Sequence, residues 1–172
     1  LKVPAQIVDL HHLEATKNIK IIGILGYDLF RNFELFFDFQ NSLIILNKVN
    51  KNGDRLNPDL PAELPFDSLE FMLKGHFIVV SGEVNHIKIH FILDSGAEVN
   101  ILDRKVNRII LDSFSVVKRV NLLGVSIAEV NATSGILYSV KCGNQNCPGM
   151  KTLLLSLDNL NSQFGFVVQG VL

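Results

Sequence analysis

The sequence predicts an all-β fold, a barrel or a sandwich, with one or two short helices. Three observations carry that expectation. The chain is 48% hydrophobic and 19% charged over 172 residues, with a mean hydropathy of +0.30, a profile that buries a core. Its longest apolar runs, such as "FIVV" and "LIIL", are strand-sized. β-branched and aromatic residues recur in short segments, while helical periodicity is scarce.

Taken in order, "YDLFRNF" fits about two helical turns, with Leu29, Phe30 and Phe33 on one side. "ELFFDFQNSLIIL" then reads as two strands joined by a turn at Gln40-Asn41-Ser42. Phe30, Phe33, Phe36, Phe37 and Phe39 read as core. "NKVNKNGDRLNPDLPAELP" holds Asn-Gly, Asn-Pro and the prolines Pro58, Pro61 and Pro65, and it breaks all periodicity. Such a density of turn pairs makes a linker or surface strap, dividing the chain into 1–48, a linker 49–65, and 66–172. "HFIVVSGEV" reads as a strand, as does "HIKIHFIL". In the latter Ile87, Ile89, Phe91 and Leu93 share one face, and Lys88, His90, Ile92 and Asp94 the other. A second short helix is expected after Asp103.

Charge narrows the function classes. A net charge of −1 and a pI near 6.6 leave no electrostatic footprint for nucleic acid or an anionic membrane. No apolar run approaches the roughly 20 residues that span a bilayer, so no membrane span is expected. Leu1 reads as mid-protein sequence, which places the natural N-terminus upstream. Cys142 and Cys147 in "CGNQNCPG" lack the second pair that a zinc site needs. They fit either a local disulfide or two free thiols. "NAT" at Asn131 is a glycosylation sequon. His86 and His90 flank "IKI"; on a strand they stand roughly 13 Å apart, which suits surface residues, not metal ligands. His11-His12 reads as a solvent-facing pair in a loop. With no phosphate-cradling Gly loop and no Gly-x-Ser-x-Gly elbow, neither a cofactor nor a metal is expected.

An internal repeat adds to the organisation. Ala5–Leu25 aligns without gaps on Thr152–Leu172, each residue n meeting n + 147. Leu10 meets Leu157, Leu13 meets Leu160, Gly23 meets Gly170 and Leu25 meets Leu172. Ile7, Val8, Ile19, Ile21 and Ile24 also meet apolar residues. The chain therefore reads as a window on a two-repeat protein, beginning near the end of one repeat and stopping near the same point in the next.

"FILDSGAEVNILD" (Phe91–Asp103) carries the chemistry. Hydrolysing an amide without a metal or a nucleophilic side chain requires activating water and protonating the amide. Two carboxyl groups sharing one proton do both, since like charges held close cannot both ionise readily. The ionised member is the base on water, and the protonated member hydrogen-bonds the carbonyl oxygen. Each carboxylate must sit on a tight turn whose backbone can approach its twin, which suits a hydroxyl residue followed by Gly. Asp94-Ser95-Gly96 at the end of an apolar run meets that need, and so does an ordinary strand exit in which Asp binds local amides.

The stretch "FILDSGAEVNILD" resembles the active-site segment of retropepsin-like aspartic proteases: an apolar pair, Asp-[Thr/Ser]-Gly-Ala, three variable residues and a second apolar pair. "GILGYDLFRNFELFFDFQNSLIIL" (Gly23–Leu46) resembles the family's second signature, in which a strand near the catalytic turn leads to a short helix and a closing hairpin. The resemblance covers most of 20–46 and 66–103 and the "GVL" end, and is typical of two-repeat bacterial members. It implies a closed acid-protease barrel, with the N-terminal helix and hairpin closing either the barrel of a preceding repeat, of which 1–48 is the C-terminal part, or that of residues 66–172 in this chain or a neighbour. It further implies Asp94 as a catalytic carboxylate, Ser95 as the hydroxyl that locks the turn to its partner, and Gly96 and Ala97 as close-approach residues. A flexible substrate-covering hairpin is expected at Leu122–Leu137, with Gly124 and Gly135 as hinges. The implied partners are a peptide or protein substrate, and a second lobe or second copy of the chain to complete the dyad. The resemblance and the two cysteines point to a periplasmic or secreted location.

One departure matters. Asp94 sits in the only Asp-[Ser/Thr]-Gly of the chain, and its repeat counterpart falls at position −53 (94 − 147), upstream of Leu1. Asp28, Asp38 and Asp103 do not occupy such a turn. Two further readings stand beside the endopeptidase: an inactive protease-fold module acting in peptide binding or assembly, and a β-sandwich ligand-binding domain in which the triplet is accidental.

Overall fold

A computed structural model describes residues 5–57, 67–123 and 129–172. The chain divides into two units, Leu1–Leu64 and Pro65–Leu172. Among the described residues no helix is long and apolar enough to cross a membrane.

The first unit holds helix α1 (His11–Lys17), helix α2 (Tyr27–Phe30) and the antiparallel strands β1 (Phe33–Asp38) and β2 (Leu43–Lys48). The turn sits where expected. Asp38 accepts from the Asn41 amide at 2.9 Å and from its side-chain nitrogen at 2.7 Å, and those bonds hold the Asp38 carboxyl below its ordinary pKa. Residues 49–57 are not a bare linker. Val49 bridges Arg55, and the Arg55 Nε donates to Glu34 Oε2 of β1 at 2.7 Å. Pro58, Pro61 and Pro65 lie outside the described residues.

The phenylalanines of this unit are not core. Phe39 is 88% exposed, Phe37, Leu43 and Ile44 are exposed too, and Leu10 is the only buried apolar residue among those described. The cause is topological: β1 and β2 pair only with each other, and a two-stranded sheet has two faces that it cannot itself cover.

The second unit is one mixed sheet. Its strands are β3 (Phe71–Lys74), β4 (Phe77–Val84), β5 (Ile87–Leu93), β6 (Asn100–Asp103), β7 (Phe114–Leu123), β8 (Glu129–Leu137), β9 (Val140–Cys142), β10 (Gln145–Cys147), β11 (Met150–Leu155) and β12 (Gly170–Val171). Helix α3 (Arg108–Leu111) comes after Asp103 as expected, and α4 (Asp158–Phe164) precedes β12. The order across the sheet is β10-β9-β4-β5-β12-β6-β11-β8-β7, with β3 on the free part of the β4 edge.

The expected closed barrel is therefore corrected to a curled, open half-barrel, whose end strands β10 and β7 do not meet among the described residues. At one end of the sheet, β9 and β10 are three residues long each, and β1 and β2 of the first unit pair only with each other.

Burial runs on both faces of the sheet centre. Ile89 and Phe91 join Val80, Val84, Leu102 and Leu137 on one face. Ile92 joins Val79, Val168 and Val171 on the other. The alternation along β5 is thus not apolar-in, polar-out, because the chain after α4 returns to cover the second face.

Cys142 and Cys147 are free thiols on the β9–β10 hairpin. Burial, helped by the neighbouring Cys147 thiol, pushes Cys142 up to about 11. Only the thiolate reacts, so alkylation of Cys142 at pH 8 is expected to run about two orders of magnitude slower than that of an ordinary exposed thiol. Mass-spectrometric time courses with iodoacetamide check this, and modification at the ordinary rate would refute it.

Candidate active site

The turn at Asp94 is built from three strands. β5 ends at Leu93, the chain turns, and β6 begins at Asn100. Between them runs β12, parallel to β5 through Gly170 opposite Phe91, and antiparallel to β6 through Gly170 opposite Leu102. The ladder continues past β12: the Leu172 amide donates to the Ile92 carbonyl, and the Asp94 amide to the Leu172 carbonyl, both at 2.8 Å. The turn is therefore fixed by a segment far along the chain.

Within the turn, the Ala97 amide donates to the Asp94 carbonyl at 3.0 Å, and the Gly96 amide to Asp94 Oδ1 at 2.8 Å. A side chain on Gly96 would place its first carbon 3.2 Å from that same oxygen, so glycine leaves the carboxylate its seat. Asp94, Ser95 and Gly96 are exposed. Ala97 is half-buried, with its methyl packed on the cluster of Val79, Ile92, Val168 and Val171. The structure thus brings the four residues singled out in "DSGA" into one small turn, with a solvent-facing carboxylate held by a backbone amide.

Asp28, Asp38 and Asp103 are each engaged elsewhere. Asp103 is buried and accepts from the Lys105 amide at 3.2 Å and the Leu157 amide at 3.4 Å, fastening β6 to the start of α4. Asp28 faces Arg31 at 3.8 Å. Asp103 closes a turn with the same bonds, its carbonyl accepting from the Val106 amide at 3.2 Å, but it is buried; among the described residues no second aspartate stands in an Asp-[Ser/Thr]-Gly turn. Nor is any group of three or more His, Cys, Asp or Glu side chains there placed to hold a metal ion.

The hairpin expected at Leu122–Leu137 is longer, since its first strand begins at Phe114. A bulge between Val116 and Lys118 breaks the alternation and masks that strand in the sequence. Gly124 lies outside the described residues. Gly135 sits mid-strand in β8, opposite Val116 of β7 and Thr152 of β11. A methyl there would lie 2.4 Å from the Phe114 ring and the Ser115 carbonyl, so close packing alone accounts for this glycine. Gly135→Ala is expected to cost about 1–3 kcal/mol by overpacking. Urea unfolding measures it, and a change under a few tenths of a kcal/mol would contradict the packing.

His12 and His90 depart from the surface reading of the sequence, while His11 and His86 are exposed as it expects. His11 and His12 lie in α1, and His12 is half-buried. His86 is exposed in a turn with φ 66°, whereas His90 is half-buried, its ring nitrogen Nδ1 3.3 Å from Ser81 Oγ. Sequence reasoning missed Gly170 and Leu172 as supports of the Asp94 turn, although the shared Gly-apolar-Leu ending of the repeat marks them.

No family model matches the chain, and no curated protein matches it. Among solved structures it is similar to the crystal structure of a retropepsin-like aspartic protease from Rickettsia conorii. The identity is 16% and the TM-score 0.37, over 63% of this chain and 80% of that one.

Proposed function

We propose that Pro65–Leu172 is one half of an aspartic endopeptidase of the retropepsin-like kind, with Asp94 supplying one carboxyl of the catalytic pair. The observation that carries this reading is the setting of Asp94. Its carboxylate is exposed at the end of a central strand, on a glycine turn tied through its own amide to Leu172.

In the assembled site Asp94 faces a second carboxyl from another lobe, and the two share a proton. The ionised carboxylate takes a proton from water as the oxygen attacks the peptide carbonyl. The protonated one hydrogen-bonds the carbonyl oxygen and then protonates the leaving nitrogen. Ser95 locks the two turns together, and the exposed Gly96 gives the facing turn close access. The substrate is an extended peptide laid across the rim, beneath the β7–β8 hairpin.

A second reading is a non-catalytic module that binds peptides or assembles with a partner; the absence of a second Asp-[Ser/Thr]-Gly from these 172 residues favours it. Cleavage of an extended peptide at acid pH by the full-length polypeptide separates the two. The endopeptidase loses activity on Asp94→Asn and with a statine-type inhibitor. Activity that survives both overturns the mechanism, and no cleavage at any acid pH leaves the binding module.

A further inference from the structure

The sequence repeat recurs in the backbone and its hydrogen bonds. Helices His11–Lys17 and Asp158–Phe164 occupy the same seven positions at the offset of 147 residues. Their N-caps, Leu10 and Leu157, share one backbone conformation (φ −105°, ψ 6° and φ −98°, ψ 16°), and their C-caps, Asn18 and Gly165, are both left-handed. The Glu14 amide donates to the Leu10 carbonyl at 3.0 Å, and its counterpart Asn161 to that of Leu157 at 2.8 Å. Glu14 Oε1 accepts from the Ile21 amide at 2.8 Å, and Asn161 Oδ1 from that of Val168 at 2.9 Å. Each copy is a short helix turned back by its cap, with a mid-helix side chain pinning the extended segment C-terminal to it.

Beyond that pin the two copies diverge. Gly170 lies in a slot between β5 and β6, where a methyl would come within 2.7 Å of the Ile101 carbonyl and the Phe91 ring. Only glycine fits. At Gly23 a methyl would meet nothing within 4 Å, and its φ is not in the left-handed range. Residues 23–25 form no strand pairing among the described residues. Ile22, Ile24 and Leu25 are 95%, 66% and 69% exposed. Gly23 thus has no local reason to be glycine, and the second copy displays one: it belongs in a slot too narrow for a Cβ.

We infer that Leu10–Leu25 is the closing element of an upstream lobe in the same polypeptide, and that Gly23-Ile24-Leu25 runs between two of that lobe's strands. The occupant is not a second copy of these 172 residues, because the β5–β6 slot is already filled by β12. The repeat also fixes the order: the slot strands of the second unit precede their closing element, so the matching pair lies N-terminal to Gly23. Leu25 takes the place of Leu172, and its carbonyl would accept from the amide of the residue at −53 (94 − 147), the position matching Asp94. The inference rests on the repeat and not on catalysis, so it stands or falls apart from the activity of Asp94.

The test compares Gly23→Val with Gly170→Val, in the 172-residue chain and in the full-length polypeptide. In the short chain Gly170→Val lowers the Tm of the second unit while Gly23→Val changes nothing. In the full-length polypeptide Gly23→Val destabilises its lobe as Gly170→Val does, and the Leu25 amide gains at least about 100-fold protection from hydrogen exchange. A neutral Gly23→Val with an unprotected Leu25 amide in the full-length polypeptide overturns the inference. So does Leu25 protection in the short chain that rises with concentration, since that would make a second copy the occupant.

Discussion

Asp94→Asn is expected to lower kcat/KM for acid-pH peptide cleavage by about 10³-fold or more in the full-length polypeptide, with an unchanged Tm. The two halves of the expectation have separate causes. Asparagine is the same shape, and its Oδ1 accepts from the Gly96 amide as the carboxylate does at 2.8 Å, so the turn keeps its bond. What it cannot do is ionise or pass a proton, and a pair that shares one proton fails when either member is neutralised. Steady-state kinetics and a thermal melt on the same preparation check this. Matched losses of activity and Tm would make Asp94 a structural turn residue. Unchanged activity would remove it from the chemistry altogether.

The largest effect on stability is expected at Phe91, where truncation to alanine should cost about 3–5 kcal/mol. Phe91 is 1% exposed in the central strand, and its ring lies against two glycines. A methyl on Gly82 would stand 3.0 Å from that ring, and one on Gly170 2.7 Å. Those glycines have no side chains with which to fill the space the ring would vacate, which places the cost toward the upper end of the range. Urea unfolding should show a lower midpoint at an unchanged slope. A loss under about 1 kcal/mol would mean the ring is not the centre of this core. Because β12 packs beneath the same ring, Phe91→Ala should also loosen the hold of Leu172 on the Asp94 turn.

Much of the site is legible in the sequence because its signals are local. The apolar run, the aspartate and the glycine of "FILDSGA" lie within a few residues, and so do the strand and turn they form. The hairpin at Gln40-Asn41-Ser42 and the helix after Asp103 are readable for the same reason. The features that escape depend on distant parts of the chain. Ile92 reads as outward-facing with Lys88 and His90, yet it is buried because Val168 and Val171 return over it. Helix α4, "DNLNSQF", is built of poor helix formers without a side-chain N-cap bond, so its sequence does not advertise it. Its counterpart α1 lies where the sequence reads as a loop. The repeat alignment nevertheless puts the two helices in register, since it compares the chain with itself and needs no propensity. The open sheet is the hardest feature to foresee: closure depends on which edges meet, and edge pairing leaves no mark in a single strand.

The bond between the Asp94 amide and the Leu172 carbonyl also bears on when the site comes into being. Strands β5 and β6 are neighbours of β12 and not of each other, so a nascent chain that has emerged only as far as β11 has them in hand but not their spacer. Loop-closure entropy makes such distant pairing a late event in folding. The aspartate turn is then among the last parts to be set, and on the proposed endopeptidase reading peptide cleavage would be withheld until synthesis has passed residue 172.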